Sequence, residues 1–329
     1  HIGFNAEHSW ADALVIAHMW ELTVMSGKAD REQGYDADGH CVKSGRDCPP
    51  DVFWPKKLKW DIPRGGQLQL AIEAALVNNK KSIDDVDLRV IRFSDFGKGK
   101  VKQMRMSPDS FVQLAMQLAF FRDQGKFGLT YEAAMTRLFR LGRTETVRSL
   151  SETTAAFVRA FENGDDDEAV WALLQQSAAE HAIKNKDAMT GKGIDRHLFG
   201  LYVVSAGRGI DSPFLKDALS QPWILSTSQQ PQTQTPAYNP ATNPEDAKRV
   251  SPGGGFGPVC DRGYGVSYMI VEDSFFFHVS SKSSVATTNS EKFGETIFQA
   301  LRDIGELSDR IIAKTKTSDD QSGGSKKTK

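Results

Sequence analysis

At the start of the chain a histidine stands four residues before an acid, in Asn5-Ala6-Glu7-His8-Ser9-Trp10-Ala11-Asp12-Ala13. Imidazole titrates near neutral pH, so His8 can take a proton from an alcohol and return it to a leaving group. Asp12 at that spacing would orient the site electrostatically rather than carry protons. Taken alone, His8 reads more readily as a helix-start histidine that caps or packs. Other groups of residues along the chain favour the base.

The first is Phe96-Gly97-Lys98-Gly99-Lys100-Val101-Lys102, running through Arg105 to Ser107-Pro108-Asp109. Gly97 and Gly99 let backbone approach a ligand, and the cations make a local trap for phosphate. Lys98 and Lys102, at i,i+4, would share one side of a turn. The spacing is not that of a Walker A loop, and a solvated basic turn would look the same. The second is Thr130-Tyr131-Glu132 with Gly142-Arg143-Thr144. Tyr131 and Thr144 hydroxyls beside arginine suit a small carboxylate, and Arg196 could add a bidentate, permanently charged partner. Singly, such residues more often make helix salt bridges or caps.

A third group, Ser226-Thr227-Ser228-Gln229, clusters hydroxyls at a strand end, where they could meet an alcohol or a developing oxyanion. Such runs are usually loop. In the fourth, Gly253-Gly254-Gly255-Phe256-Gly257-Pro258, the glycines are turns by default. Alternatively they form a wall without side chains, with the Phe256 ring facing a quaternary ammonium.

These residues need a scaffold. Residues 9–25 are apolar on nearly every face, which predicts a buried helix after His8 with His18 in a core. Residues 27–56 read as a long loop, Leu58–Ile62 as a strand, Gln67–Val77 as a helix and Asp87–Phe93 as an alternating strand. Ser107-Pro108-Asp109 is a helix start, continuing through Phe111, Leu114, Leu118 and Phe121. Further helices are predicted over 130–140, 150–162, 167–187, 194–206 and 214–219. Strands follow at Ile224–Ser228, Gly265–Val271 and Phe275–Ser281. A last helix carries the stripe Ile297, Leu301, Ile304, Leu307 and Ile311, and the Lys/Ser/Thr/Gly-rich tail after Lys314 reads as disordered. Helices and strands mix throughout, which predicts an α/β or α+β class with a mixed sheet.

The net charge of −1 over 329 residues gives no electrostatic case for nucleic acid or an anionic membrane. Cys41, Cys48 and Cys260 make neither a disulfide framework nor a zinc-spaced set, so no metal is expected. No run of about 18 apolar residues occurs, so the chain itself holds no membrane-spanning helix. The opening on His1, with no methionine before a finished motif, reads as the C-terminal portion of something longer.

In combination the motifs resemble the carnitine/choline acyltransferase family, and within it the type I palmitoyl branch, from about His1 to about Leu307. Asn5–Ala13 resembles the catalytic-histidine motif. Gly97–Asp109 looks like the coenzyme A segment, with Lys98 and Lys102 matching its phosphate-binding lysines. Tyr131, Thr144 and Arg196 match the carnitine carboxylate site, and Ser226-Thr227-Ser228 matches the Ser-Thr-Ser motif. Phe256-Gly257-Pro258-Val259 with Gly263-Tyr264-Gly265 resembles the type I version.

The resemblance implies a coenzyme A-dependent acyltransferase (chloramphenicol acetyltransferase-like) α/β fold, a mixed sheet flanked by helices. Residues 1–90 would end a first acyltransferase domain and carry His8. Residues 91–313 would form the second, and 314–329 a disordered tail. It implies reversible acyl transfer between coenzyme A, a substrate rather than a bound cofactor, and the hydroxyl of L-carnitine. His8 and Ser228 would act on the reacting atoms, with Asp12 beside them. Gly97, Lys98, Gly99, Lys102, Ser107, Asp109 and Gln229 would bind coenzyme A. Tyr131, Thr144, Arg196, Ser226, Ser228 and Phe256 would bind carnitine. In short-chain members a methionine resembles a plug at the position of Gly254, so glycine there implies a tunnel for a long acyl chain. The full-length protein would be anchored in the mitochondrial outer membrane, facing the cytosol. A choline or shorter-chain carnitine acyltransferase is the nearest alternative, although choline lacks the carboxylate that Tyr131, Thr144 and Arg196 suit. A serine hydrolase would need a Gly-x-Ser-x-Gly elbow that the sequence lacks. A non-catalytic acyl-CoA-binding fragment is the alternative from another class.

Overall fold

The computed structural model describes residues 4–9, 11–31, 56–236, 238–240, 242–247 and 253–323. The chain divides into two units, one of residues 1–13, 87–232 and 252–329, the other of residues 14–86 and 233–251.

The first unit is built on a mixed six-stranded sheet in the order β1-β6-β5-β4-β2-β3. Its strands are β1 (Val86–Phe93), β2 (Thr130–Met135), β3 (Thr144–Val147), β4 (Leu225–Gln229), β5 (Tyr264–Ile270) and β6 (Phe275–Lys282). β2 and β4 run parallel, as do β4 and β5, while β2–β3 and β5–β6 are antiparallel. Because side chains alternate, the register sorts them onto two faces. One face carries Thr130, Glu132, Thr227, Val266, Tyr268, Phe277 and Val279, all buried. The other carries Tyr131, Ala133, Thr144, Ser226, Ser228, Gly265, Ser267, His278 and Ser280.

Helices α4 (Pro108–Gln124), α5 (Glu152–Asn163), α6 (Asp167–Met189) and α10 (Ser290–Gly323) belong to the first face's core. Helix α4 begins on the expected signal: the Ser107 hydroxyl accepts from the Ser110 amide, and Pro108 needs no partner for an amide it lacks. It ends at Gly125, whose φ of 66° is the left-handed conformation that glycine supplies cheaply. Its residues Ser110–Phe120 are all buried. The α10 stripe Ile297, Leu301, Ile304 and Leu307 is likewise buried. A short helix α3 (Lys98–Gln103) joins β1 to α4, and α7 (Asp195–Gly207) and α8 (Pro213–Ser220) lead into β4.

Four expectations need correction. Residues 130–135 are a strand rather than the start of a helix, because Thr130, Glu132 and Ala134 face inward in alternation. Residues 144–147, given no element by their sequence, form the strand antiparallel to it. Residues 58–62 have no regular structure, and Leu58 and Trp60 are exposed. The tail stays helical past Lys314, as α10 runs through Gly323.

The second unit holds α1 (Ala13–Arg31), α2 (Gln67–Asp84) and the short α9 (Pro244–Ala247). Helix α1 forms where its apolar residues predict, but Val15, Met19 and Leu22 are exposed, and so is His18, so neither the burial nor the core histidine is found. Most of the 27–56 loop lies outside the described residues. Within this unit Glu21 accepts hydrogen bonds from the amides of Gln234 (3.0 Å) and Thr235 (2.6 Å), tying residues 233–235 to α1.

Candidate active site

His8 is held by backbone and side-chain contacts that converge on Arg143, at the start of β3. The guanidinium donates to the carbonyls of His8 (2.8 Å) and Ser9, and to both carboxylate oxygens of Asp12 (3.0 and 3.4 Å). A planar fork with five donors can grip a carboxylate and two carbonyls at once, which an ammonium cannot. The His8 Nδ1 lies 3.7 Å from the Asp12 carboxylate, and its side chain is 72% exposed. The ring is therefore steered by Asp12 while remaining open to a reactant. Among the described residues no hydrogen bond joins His8 to Ser226 or Ser228.

Tyr131, Thr144, Ser226 and Ser228 occupy the same sheet face, Tyr131 beside Ser226 and Ser228 beside Ser267 in register. Arg196 stands at the outer edge of β3, where its Nε donates to the Thr144 carbonyl at 2.9 Å. Its position is fixed from behind: the buried Glu145 carboxylate accepts the Arg196 amide (3.2 and 3.3 Å), and Arg148 grips Asp195 through two bonds. A helix N-terminus leaves amides unpaired, so Glu145 both satisfies one and complements the helix dipole. Arg143, Thr144, Arg196 and His197 line one open cleft of about 640 Å³. Tyr131 is not part of that lining; its ring packs edge-on against Trp223 at 5.6 Å.

The basic segment becomes a helical turn. Lys98 and Gly99 donate their amides to the carbonyls of Val271 (2.9 Å) and Glu272 (3.0 Å), which docks α3 against the end of β5. A Cβ on Gly97 would be driven into the Ser274 backbone nitrogen, so only glycine allows this approach. Lys98 pairs with Glu272 at 3.2 Å, Lys100 with Asp309 at 2.7 Å, and Lys102 is exposed. Ser107 is the exposed cap of α4. The Asp109 carboxylate turns inward to accept from Tyr268 at 2.6 Å.

Residues 253–258 lie on the serine-bearing face. Ser280 donates to the Phe256 carbonyl at 2.6 Å, and a Cβ on Gly265 would stand 3.1 Å from the Phe256 ring. Gly254 is clasped by Gln230, which accepts from its amide (2.8 Å) and donates to its carbonyl (3.1 Å). Gln229, at the end of β4, is exposed.

This arrangement offers an exposed imidazole, a patch of hydroxyls, a cleft with a fixed guanidinium and a basic turn. The sequence model of "Choline/Carnitine o-acyltransferase" matches residues 1–299. The chain belongs to the choline/carnitine acyltransferase family. It is 50% identical over 308 residues to the muscle isoform of carnitine O-palmitoyltransferase 1 of Homo sapiens, covering 93% of this chain and 39% of that protein. The liver isoform from the same organism is 49% identical over 305 residues, covering 92% of this chain and 38% of its own length. Carnitine O-acetyltransferase of Columba livia is 34% identical over 258 residues, covering 77% of this chain and 38% of that protein. The chain thus spans well under half the length of these relatives.

Within this acyltransferase fold, Arg143, expected beside the hydroxyls for a small carboxylate, instead pairs with Asp12, and Glu145 is a holding side chain that sequence reasoning passed over. Their signal lay in Arg143-Thr144-Glu145, but only the β2–β3 pairing shows that one holds the His8 segment and the other Arg196. Asp109, Glu132 and His181 also come together, with ligand-type atoms all within 4.8 Å of one another. They do not fit a metal, because the His181 Nε2 already sits 2.6 Å from Glu132, and its Nδ1 bonds the Ser110 hydroxyl at 2.9 Å. Among the described residues no helix is long and apolar enough to cross a membrane.

Proposed function

We propose that this chain carries the alcohol-side and coenzyme A-side residues of a carnitine O-acyltransferase with a preference for long, palmitoyl-type acyl groups. The observation that carries the reading is Arg196, anchored by Thr144 and Glu145 in a cleft beside the face that bears Tyr131, Ser226 and Ser228. A fixed guanidinium there suits the carboxylate of L-carnitine, with the hydroxyls reaching toward its alcohol.

His8 takes the proton of that hydroxyl, and the alkoxide attacks the thioester carbonyl of acyl-CoA. Ser228 donates to the tetrahedral oxyanion, an interaction of a kind worth ~3–4 kcal/mol. The intermediate collapses with loss of the coenzyme A thiolate, which receives the proton from the His8 imidazolium. No acyl-enzyme is needed, since both substrates meet in one site. Lys98 and Lys102 suit the phosphates of coenzyme A. Likeness to the palmitoyltransferases supports the long chain and, for the full-length protein, anchorage in the mitochondrial outer membrane facing the cytosol.

The test is release of coenzyme A thiol from palmitoyl-CoA in the presence of carnitine, by the complete enzyme. His8→Ala is expected to lower turnover by ~10²–10⁴ or more while palmitoyl-CoA still binds. Binding without carnitine-dependent thiol release in the unaltered protein would instead mark a non-catalytic acyl-CoA binder.

A further inference from the structure

We propose that Asp109, Glu132 and His181, gathered behind the sheet from α4, β2 and α6, form a proton-holding strut that positions Tyr131 and the Ser226–Ser228 strand for the alcohol substrate. This rests on the function proposed above. None of the three touches the reacting atoms in that reading; they are positioning residues.

The connections are short and directional. His181 Nε2 donates to Glu132 at 2.6 Å, and Ser149 lies 2.9 Å from both Glu132 and the Gln113 carbonyl oxygen. Gln113, from α4, donates to the Thr227 hydroxyl (3.0 Å) and to the Tyr268 hydroxyl (2.9 Å). Tyr268 donates on to Asp109 at 2.6 Å, and Thr227 donates to the Tyr131 carbonyl at 2.8 Å. One side-chain amide therefore bolts β4 and β5 to α4, and Thr227 carries the link across to the backbone of Tyr131. Glu132 and Tyr131 are adjacent in β2 and face opposite ways, so a displacement of Glu132 is felt by Tyr131 directly.

Proton counting shows why the strut is sensitive. The carboxyls of Asp109 and Glu132 come within 4.8 Å of each other behind the sheet, so a proton on one of them relieves their repulsion. Burial, and then the charge of Glu132, push the Asp109 carboxyl up to about 7, against the pull of His181 and Tyr268. Burial draws His181 down, but the charge and hydrogen bond of Glu132, with Asp109, outweigh it and hold the imidazole above its ordinary value. The groups facing the cluster are Asp109 from α4, Glu132 from β2, His181 and Lys184 from α6, and Tyr268 from β5. Burial keeps Tyr268 un-ionised, and Lys184 opposes charge on His181. As pH rises through about 7, loss of the Asp109 proton places a second negative charge beside Glu132 in the interior, and β2 must yield.

In the complete enzyme, Asp109→Asn keeps a donor toward Glu132 and removes the titration. Carnitine KM in the unaltered enzyme is expected to climb about tenfold above neutral pH, and in Asp109→Asn that climb is lost. A purely packing role would lower the melting temperature without changing the pH profile of KM. The direct reading is the ¹³C shift of the Asp109 carboxyl in the unaltered chain from about pH 4 to pH 9. A midpoint near 7 is the expected result, and one near 4 overturns the proposal whatever the variant does. If carnitine is not acylated at all, the functional reading falls instead, and the carboxyl titration still decides the strut.

Discussion

At the residue scale, the histidine and its acid were legible because their spacing is local, whereas what holds them was not. Arg143 reaches across from just before β3, 131 residues after Asp12, and no pattern within either segment announces the contact. Its fork satisfies two backbone carbonyls and one carboxylate, so the His8 segment stays aligned despite its exposure. Arg143→Ala should therefore reduce kcat by ~10–10²-fold through misplacement of His8, with little change in coenzyme A binding. Lysine should rescue poorly, since a point charge cannot make the same set of bonds. Steady-state kinetics of the two variants check this, and full activity in Arg143→Ala would reduce the clamp to an ordinary surface ion pair. The inward turn of Asp109 was equally hidden, since Ser107-Pro108-Asp109 signals only that a helix begins.

Elements with a strong signature formed where expected: α4 on its cap and proline, α10 on its apolar stripe, β5 and β6 on their aromatic and branched residues. The failures cluster at β2 and β3. Glu132-Ala133-Ala134-Met135 is rich in helix formers, and a glutamate on the core face of a strand contradicts every local preference. It is tolerated because His181 and Ser149 answer its charge, and those partners come from distant elements. Helix α3 shows the converse, a short basic turn whose shape depends on one glycine. Gly97→Ala would press a methyl group into the backbone at Asp273 and Ser274, so α3 must lift from the β5–β6 turn. A loss of about 1–3 kcal/mol in stability is expected, with a raised KM for coenzyme A because Lys98 moves with the helix. Denaturant melts alongside acyl-CoA saturation curves test both parts. Unchanged stability with normal KM would mean that the turn relaxes freely.

For the whole molecule, the sheet divides labour between its faces: one packs on α4, α5, α6 and α10, the other presents hydroxyls beneath residues 253–258. That second face is where acyl-chain length would be set, and the three glycines above it are not equivalent. Gly253 has a φ of 89°, and a Cβ there would meet Met269 Sδ at 2.6 Å as well as Gln230. A Cβ on Gly255 would stand 3.0 Å from the Cβ of His278. On Gly254 it meets only the Gln230 amide nitrogen, at an ordinary 3.4 Å. Gly254 can thus accept a side chain without backbone strain, which makes it the clean place to plug an acyl channel. Gly254→Met is expected to shift preference from palmitoyl-CoA toward octanoyl- or acetyl-CoA, since each methylene denied burial forfeits ~0.8 kcal/mol. The comparison is kcat/KM for the three acyl-CoAs in both proteins, with the melting temperature as a control for folding. A stable variant that still favours palmitoyl-CoA would place the acyl chain elsewhere and leave the glycines as a turn.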